Sequence, residues 1–317
     1  MASVIYYGVR LVGLLIREGP FFVLTYYSPA LLPVLYLLSK ILGFHVVVKM
    51  DWDGVIRGNR AKRLVRALPG VFGKDGGGPG LEGETGRYAR FMENAAEVAS
   101  ALRGLDYAFF KFLRPLRHVS VDLDVLVRAE HVAEAARRLL ARGFRPVVIE
   151  PYTITLERRG FIVDLYTHPS FAWAVYLDGG RLLDEAEEGD VWGERGRLLT
   201  RPAEVVVAAA HAVYKEHIYL LMDYFVVKRW LDKRAVSLAE ELGVGFALGL
   251  AAALNDAIEA GAIEAPYKFP PGLTARVLTE RFVNCPAFRG SSLNFLKLAF
   301  NKRTPGLLLS RLRRASY

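Results

Sequence analysis

The sequence predicts an α+β protein, a mixed β-sheet flanked by helices, with a helical N-terminal segment before it and a helical C-terminal domain after it. Three observations predict this. Between residues 88 and 170 the apolar period switches between that of a helix and that of a strand, in the order helix, two strands, helix, three strands. Beyond residue 171 the strand signals give way to long helical runs such as "RPAEVVVAAAHAVYKEHIYLLMDYFVVKRWL". Ahead of residue 88 the stretch "VFGKDGGGPGLEGETG", with too many glycines for a regular element, sets this unit apart from an apolar N-terminus. The expected boundaries are 1–68 for the helical N-terminal segment, 69–87 for a glycine-rich linker or loop, 88–170 for the core and 171–317 for the helical C-terminal domain.

Each element has its own signal. An apolar first segment breaks at Pro29 and resumes as "LLPVLYLLSKILGF", which ends at Gly43 as helices often do, and "HVVVKM" reads as a short strand. The uncharged run from Gly19 to Ser39 is about long enough to span a bilayer. Pro20, Pro29 and Pro33 would break a single span and Tyr26 and Tyr27 would sit at its middle, so two short buried helices are expected and membrane association is not favoured. The glycine-rich stretch lacks the GxxxxGK[ST] arrangement and follows no apolar strand, which favours a linker over a phosphate loop. From Tyr88 to Leu105 the residues Phe91, Ala95, Val98, Ala99 and Leu102 mark one helix face. Residues 106–112 and 119–127 read as the first two core strands, and "EHVAEAARRLLARGF" as an amphipathic helix closed by Gly143. "VVIE", "TITLE" and "FIVDLYT" follow as strands, the last two forming a hairpin around "RRG".

The bulk composition narrows the partners. A net charge of +9 favours anionic company such as nucleotides, nucleic acid or an acidic membrane face. The single cysteine, Cys285, excludes an internal disulfide and a cysteine-based zinc or iron–sulfur site, which fits a reducing cytoplasm.

Chemistry concentrates in "HVSVDLDVLVR", residues 118–128, where two aspartates interrupt a buried strand. Side chains two apart in a strand share a face, so Asp122 and Asp124 stand about 7 Å apart at their Cα atoms, opposite Val121, Leu123, Val125 and Val127. One face is expected to pack on helices and the other to be wet or metal-bearing. Two carboxylates this close repel, and magnesium, which binds carboxylate, water and phosphate oxygens, offsets the repulsion. A third carboxylate on a neighbouring strand would complete a two-metal clamp on an in-line phosphoryl transfer. Asp164, alone in the apolar run "FIVDLYT", is the candidate, provided its strand pairs beside residues 119–127.

A strand-borne "DLD" after a short first strand, then a helix, then "VDLYT" on a later strand, resembles the nucleotidyltransferase fold of the DNA polymerase β-like superfamily, in its stand-alone archaeal and bacterial form. In "FFKFLRPLRHVSVDLDVLV" the residues Lys111, Arg114, Arg117, Asp122 and Asp124 occupy the matching places, and the likeness covers roughly residues 88–170. It implies that the three acids are catalytic and hold two magnesium ions, that Asp164 helps deprotonate an acceptor hydroxyl, and that an NTP delivers a nucleoside monophosphate to it. The sequence departs from the family at one place. Phe112 and Leu113 follow Lys111 where the family carries a glycine turn whose backbone cradles the triphosphate, and no glycine lies between Gly104 and Asp124. Lys111, Arg114, Arg117 and Ser120 are then the expected phosphate contacts.

His211 and Lys215, four apart in "HAVYKEHIYLLMDY", are placed on one helix face from which they would hold base, ribose or acceptor. No third ligand accompanies His211 and His217, which argues against zinc. The acceptor is not named by the sequence, and RNA, a protein or a small molecule all fit. Two rival readings stand beside the transferase: a nucleotide- or RNA-binding protein of the same fold that has lost activity, motivated by Phe112 and Leu113, and a DxD glycosyltransferase, motivated by the apolar N-terminus.

Overall fold

The computed structural model describes residues 21–24, 45–48, 79–116 and 120–294. Contact density divides the chain into residues 1–86 and 87–317. In the first unit, β1 (Phe21–Leu24) and β2 (His45–Val48) pair in parallel, Phe21 opposite His45. β2 coincides with the strand expected in "HVVVKM". β1 falls where the sequence predicts a helix. Four apolar residues, "FFVL", are too few for period to separate strand from helix, and aromatic and β-branched types suit a pleated surface. The remaining N-terminal expectations lie outside the described residues.

The first helix, α1 (Pro79–Leu102), begins inside the stretch expected to be an irregular loop. Proline is tolerated at a first helical turn, and the buried face of Phe91, Ala95, Val98, Ala99 and Leu102 supplies the packing that offsets three glycines upstream. Then come β3 (Tyr107–Phe109), β4 (Asp122–Val127), α2 (Val132–Ala141), β5 (Arg145–Glu150), β6 (Thr153–Arg158) and β7 (Phe161–Tyr166). The strand order of the described sheet is β10-β11-β3-β4-β7-β6-β5, with β10 at Ala186–Val191 and β11 at Glu194–Leu199, mixed in direction, with β4–β7 and β11–β3 parallel.

The last two of those strands, β10 (Ala186–Val191) and β11 (Glu194–Leu199), correct the expectation that everything past residue 171 is helical. They form an antiparallel ribbon at the sheet edge. The sequence hides it because "EEGD" and "ERGR" are mostly charged, as suits an edge with one face in water. Its two-residue turn, Trp192 and Gly193, has φ of 57° and 84°, the doubly left-handed form that tight hairpins need, carried by a tryptophan in place of the usual Asn or Asp.

Each face of the sheet is covered by its own core. Leu123, Val125 and Val127 of β4 join Phe109, Val163 and Leu165 under α1 and α2. Leu126 and Tyr166 face the other way, toward the short strands β8 (Ser170–Phe171) and β9 (Ala174–Val175) and the helices α3 (Gly179–Leu183) and α4 (Arg201–Ala210). After α4 the chain makes a π-type turn (His211–Glu216). It continues through β12 (Ile218–Tyr219), α5 (Leu221–Trp230), α6 (Lys233–Glu241), α7 (Gly245–Glu259), β13 (Tyr267–Lys268), α8 (Pro271–Asn284) and α9 (Pro286–Ser291). Val121 is not on the packed face as expected. It precedes the strand and is 77% exposed. Among the described residues, no helix is long and apolar enough to cross a membrane.

The end of β4 is tied to α3 by Arg128, which pairs with Asp106 at 2.7 Å and donates to the Gly180 carbonyl at 2.9 Å. A Cβ on the neighbouring Gly179 would stand 2.1 Å from the Thr167 carbonyl oxygen and 2.9 Å from Leu126 Cδ1. Gly179→Ala is therefore expected to destabilise by about 1–3 kcal/mol or more, the cost of forced overpacking. Gly272→Ala, whose Cβ meets nothing within 4 Å, should stay within about 0.5 kcal/mol of wild type in urea denaturation.

Candidate active site

The two aspartates of β4 and the one of β7 come together because the strands pair in parallel with Asp124 directly opposite Asp164 and Asp122 opposite Ile162. All three carboxylates leave the sheet on one face, and one oxygen from each lies within 4.8 Å of the others. Contrary to the wet face expected, Asp124 is 4% exposed, because α4 and the π turn belong to the core over this side. Supporting groups surround the acids. Ser120 donates to Asp122 Oδ1 at 3.3 Å, Thr155 hydrogen-bonds Asp164 from the neighbouring strand, and the Tyr166 hydroxyl lies 3.5 Å from Asp164 Oδ2.

Charge is unevenly balanced here. Burial pushes the Asp124 carboxyl up to about 6, against the pull of Lys111, whose Nζ lies 2.7 Å from Asp124 Oδ2. Burial also raises Asp164, opposed by the Thr155 hydrogen bond. Lys111 loses by burial, yet Asp124 and Asp122 hold its pKa above the ordinary lysine value. Lys215 goes the other way, lowered first by burial and then by the like charge of Lys111. Asp124 Oδ1 and Asp164 Oδ1 are buried with no hydrogen-bond partner. Orphaned buried carboxylate oxygens are costly, and two of them converging with a third acid form an all-oxygen donor set that fits a hard divalent cation.

The loop after β3 answers the departure from the glycine pattern. Lys111 itself takes the left-handed conformation, φ 55°, that a glycine would adopt without strain. The loop is held from both sides. The Phe112 ring packs against Phe109 and Phe91, at 5.2 and 6.4 Å between centroids, on the α1 side of the sheet. On the α4 side the backbone N–H groups of Lys111, Phe112 and Leu113 donate to the Glu204 carboxylate at 2.8, 2.9 and 3.2 Å. Glu204 is 1% exposed, and burial pushes its carboxyl up to about 7 despite the attraction of Arg114 and the three amides. Sequence reasoning missed this residue. Its signal was the same as that of Asp122: a lone acid, here in the wholly apolar helical run "AEVVVAAA".

The other expected site residues divide. Lys215 stands at the acids: its charge acts on Asp124 and Asp164, and Nζ lies 5.5 Å from the centre of the Tyr166 ring. Arg114 is in the loop with Nε and Nη1 buried and without hydrogen-bond partners. His211 has its Nδ1 3.3 Å from the Tyr176 hydroxyl and its Nε2 3.6 Å from Glu216 Oε1, a carboxylate whose charge also acts on Lys215. The i to i+4 spacing expected to align His211 with Lys215 assumes an α-helix. A π turn instead brings i and i+5 together, here His211 and Glu216. Arg117 and His118 lie outside the described residues, as does the basic "RLRR" of the C-terminus.

No curated protein matches the sequence. Among solved structures, the chain is similar to the antibiotic-resistance factor ANT(2'')-Ia, at 17% identity over 56% of this chain and 95% of that one, with a TM-score of 0.31. It is also similar to an antigenic nucleotidyltransferase-like protein from Paracoccidioides brasiliensis, at 12% identity over 60% of this chain and 96% of that one, TM-score 0.31. Residues 114–258, from the loop before Asp122 to the end of α7 and so including all three acids, match the family model described as an uncharacterised nucleotidyltransferase.

Proposed function

We propose that the chain is a divalent-metal-dependent nucleotidyltransferase that moves a nucleoside monophosphate from an NTP to a hydroxyl group of an acceptor. The observation that carries this reading is the convergence of Asp122, Asp124 and Asp164 from two adjacent parallel strands, with two of their oxygens buried and unsatisfied. Asp122, Asp124 and Asp164 would hold two magnesium ions, which when bound neutralise the phosphate oxygens and ease ionisation of the acceptor hydroxyl. The protein's own groups do the rest. The acceptor oxygen forms a bond to the α-phosphorus, the bond from that phosphorus to the bridging oxygen breaks, and pyrophosphate leaves with the electron pair. Asp164, set beside the acceptor oxygen, helps take the hydroxyl proton. Lys111, Arg114 and Lys215 face the charge that develops on the leaving pyrophosphate, and their burial in a low-dielectric setting makes each contact count for more than in water.

A second reading, a nucleotide-binding protein without transfer activity, is favoured by one observation: the loop amides that would cradle a triphosphate are held by Glu204. Incubation with labelled NTPs, magnesium and pools of RNA, protein and small-molecule acceptors decides between them. Incorporation into any pool supports transfer. Labelled nucleotide bound but never transferred supports the second reading.

Replacing any of the three acids by Asn is expected to cut transfer by about 10²-fold or more, the scale seen when one charge-stabilising group is lost. Without metal, however, Asp164→Asn should raise the melting temperature by a few degrees, because it removes like-charge repulsion at a buried cluster. Magnesium at about 100 times its dissociation constant should stabilise wild type by about 2.7 kcal/mol and the Asp122→Asn plus Asp124→Asn double variant far less. Thermal melts with and without EDTA read both effects.

Lys215→Met is expected to lower kcat more than it raises KM for the NTP, as fits a group that acts on the leaving charge rather than on ground-state binding. Lys111→Met should do the same and, in addition, weaken the fold, since it leaves Asp124 without its counter-ion. Steady-state kinetics beside urea denaturation separate the two lysines.

A further inference from the structure

Glu204 has no part in the chemistry proposed above, yet it is among the most deeply buried charged groups described. A buried carboxylate is tolerated only with strong partners. Glu204 has them in an unusual form: three successive backbone N–H groups, those of Lys111, Phe112 and Leu113, converge on its two oxygens. They converge because Lys111 is left-handed. Consecutive amides turned inward around a left-handed residue make a nest, the backbone's general device for holding an anion such as phosphate. The neighbouring Arg114 adds a positive charge that acts on Glu204.

We propose that the Glu204 carboxyl group is the built-in occupant of this nest, so that the Lys111–Leu113 loop is a fixed support that sets the Lys111 ammonium against Asp124 and not a phosphate-binding loop. Glu204 is thus a positioning residue, acting through the loop on Lys111. Its helix, α4, is buried along the whole of Ala203–Ala210, so the carboxylate is delivered by a packed, rigid element. Where the chain acts on an NTP, as the functional reading above holds, the donor's phosphates are gripped by the side chains of Lys111, Arg114 and Lys215 and by divalent cations, without a backbone cradle. The occupancy of the nest itself does not depend on that reading.

The test is chemical replacement of the missing anion by one of matching size. In the full chain at pH 8, Glu204→Ala removes a Cγ and a carboxylate, which acetate replaces, and Glu204→Gly removes one carbon more, which propionate replaces. The expected result is that acetate raises the melting temperature of Glu204→Ala by several degrees over chloride at equal ionic strength, that propionate does so best for Glu204→Gly, and that neither moves wild type. Equal effects of carboxylate and chloride on the variants, or equal stabilisation of wild type, would overturn the proposal. Should a variant not fold in chloride, its refolding yield in acetate or propionate against chloride gives the same answer. A second measurement uses wild type alone. The scalar couplings across the hydrogen bonds from the Lys111, Phe112 and Leu113 amide nitrogens to the Glu204 carboxyl carbon are expected to persist when inorganic tripolyphosphate and magnesium are added, and their loss would show that phosphate displaces the carboxylate and the proposal is wrong. Neither measurement requires nucleotide transfer, so a chain that proves to be inactive still passes or fails them on its own terms.

Discussion

The parallel pairing of β4 with β7 is the constraint on which the rest depends. Side chains alternate along a strand, so a slip of one residue would send Asp164 to the face under α1 and α2 and leave Asp122 and Asp124 without their partner. The register is held by what lies on both sides. Leu123, Val125, Val163 and Leu165 are locked into one core, and Leu126 and Tyr166 into the other. A sheet buried on both faces has no tolerance for a shift, and the carboxylates inherit that precision. The same geometry explains why they are under strain. Three acids brought together in a buried place lower the stability of the fold unless cations offset them, and the chain supplies two lysines from different elements, Lys111 from the loop after β3 and Lys215 from the π turn.

The loop between β3 and β4 shows how one substitution in a pattern is compensated elsewhere. A glycine would give the turn freely. Here Phe112 contributes aromatic packing against Phe109 and Phe91, Lys111 carries the left-handed backbone, and Glu204 satisfies the amides that the turn exposes. A left-handed non-glycine residue costs roughly 1–2 kcal/mol, and the hydrogen bonds to a charged group that it permits are worth as much or more. Three layers of the molecule meet in three consecutive residues.

Much of this was legible in the sequence, and what was not has physical reasons. The core helices and strands from residue 88 to 170 could be read because their apolar residues keep a clean period, and the acids stood out because charges inside such a period demand a cause. That Asp164 would lie beside Asp124 followed from the expected strand pairing, which the register bears out. The ribbon of β10 and β11 was illegible because an edge strand needs little apolar content, and Trp192–Gly193 is not the residue pair that announces a tight hairpin. The π turn was illegible because its i to i+5 bonding leaves no mark on "HAVYKEH" that an α-helix would not, and with it the pairing of His211 with Glu216. Glu204 was overlooked for a different reason: its partners are backbone amides, which have no letter in a sequence.

The long reach of the β4–β7 pair has one more consequence. Asp124 and Asp164 are 40 residues apart, and between them lie α2, β5 and β6. During synthesis the two aspartates of β4 leave the ribosome well before their partner exists, and Glu204, which fastens the loop beside them, is made 40 residues later again. Contacts between distant segments form late because loop closure must precede them. The charged cluster therefore cannot form before both segments have been made, so a half-made chain carries the acids of β4 but not the site.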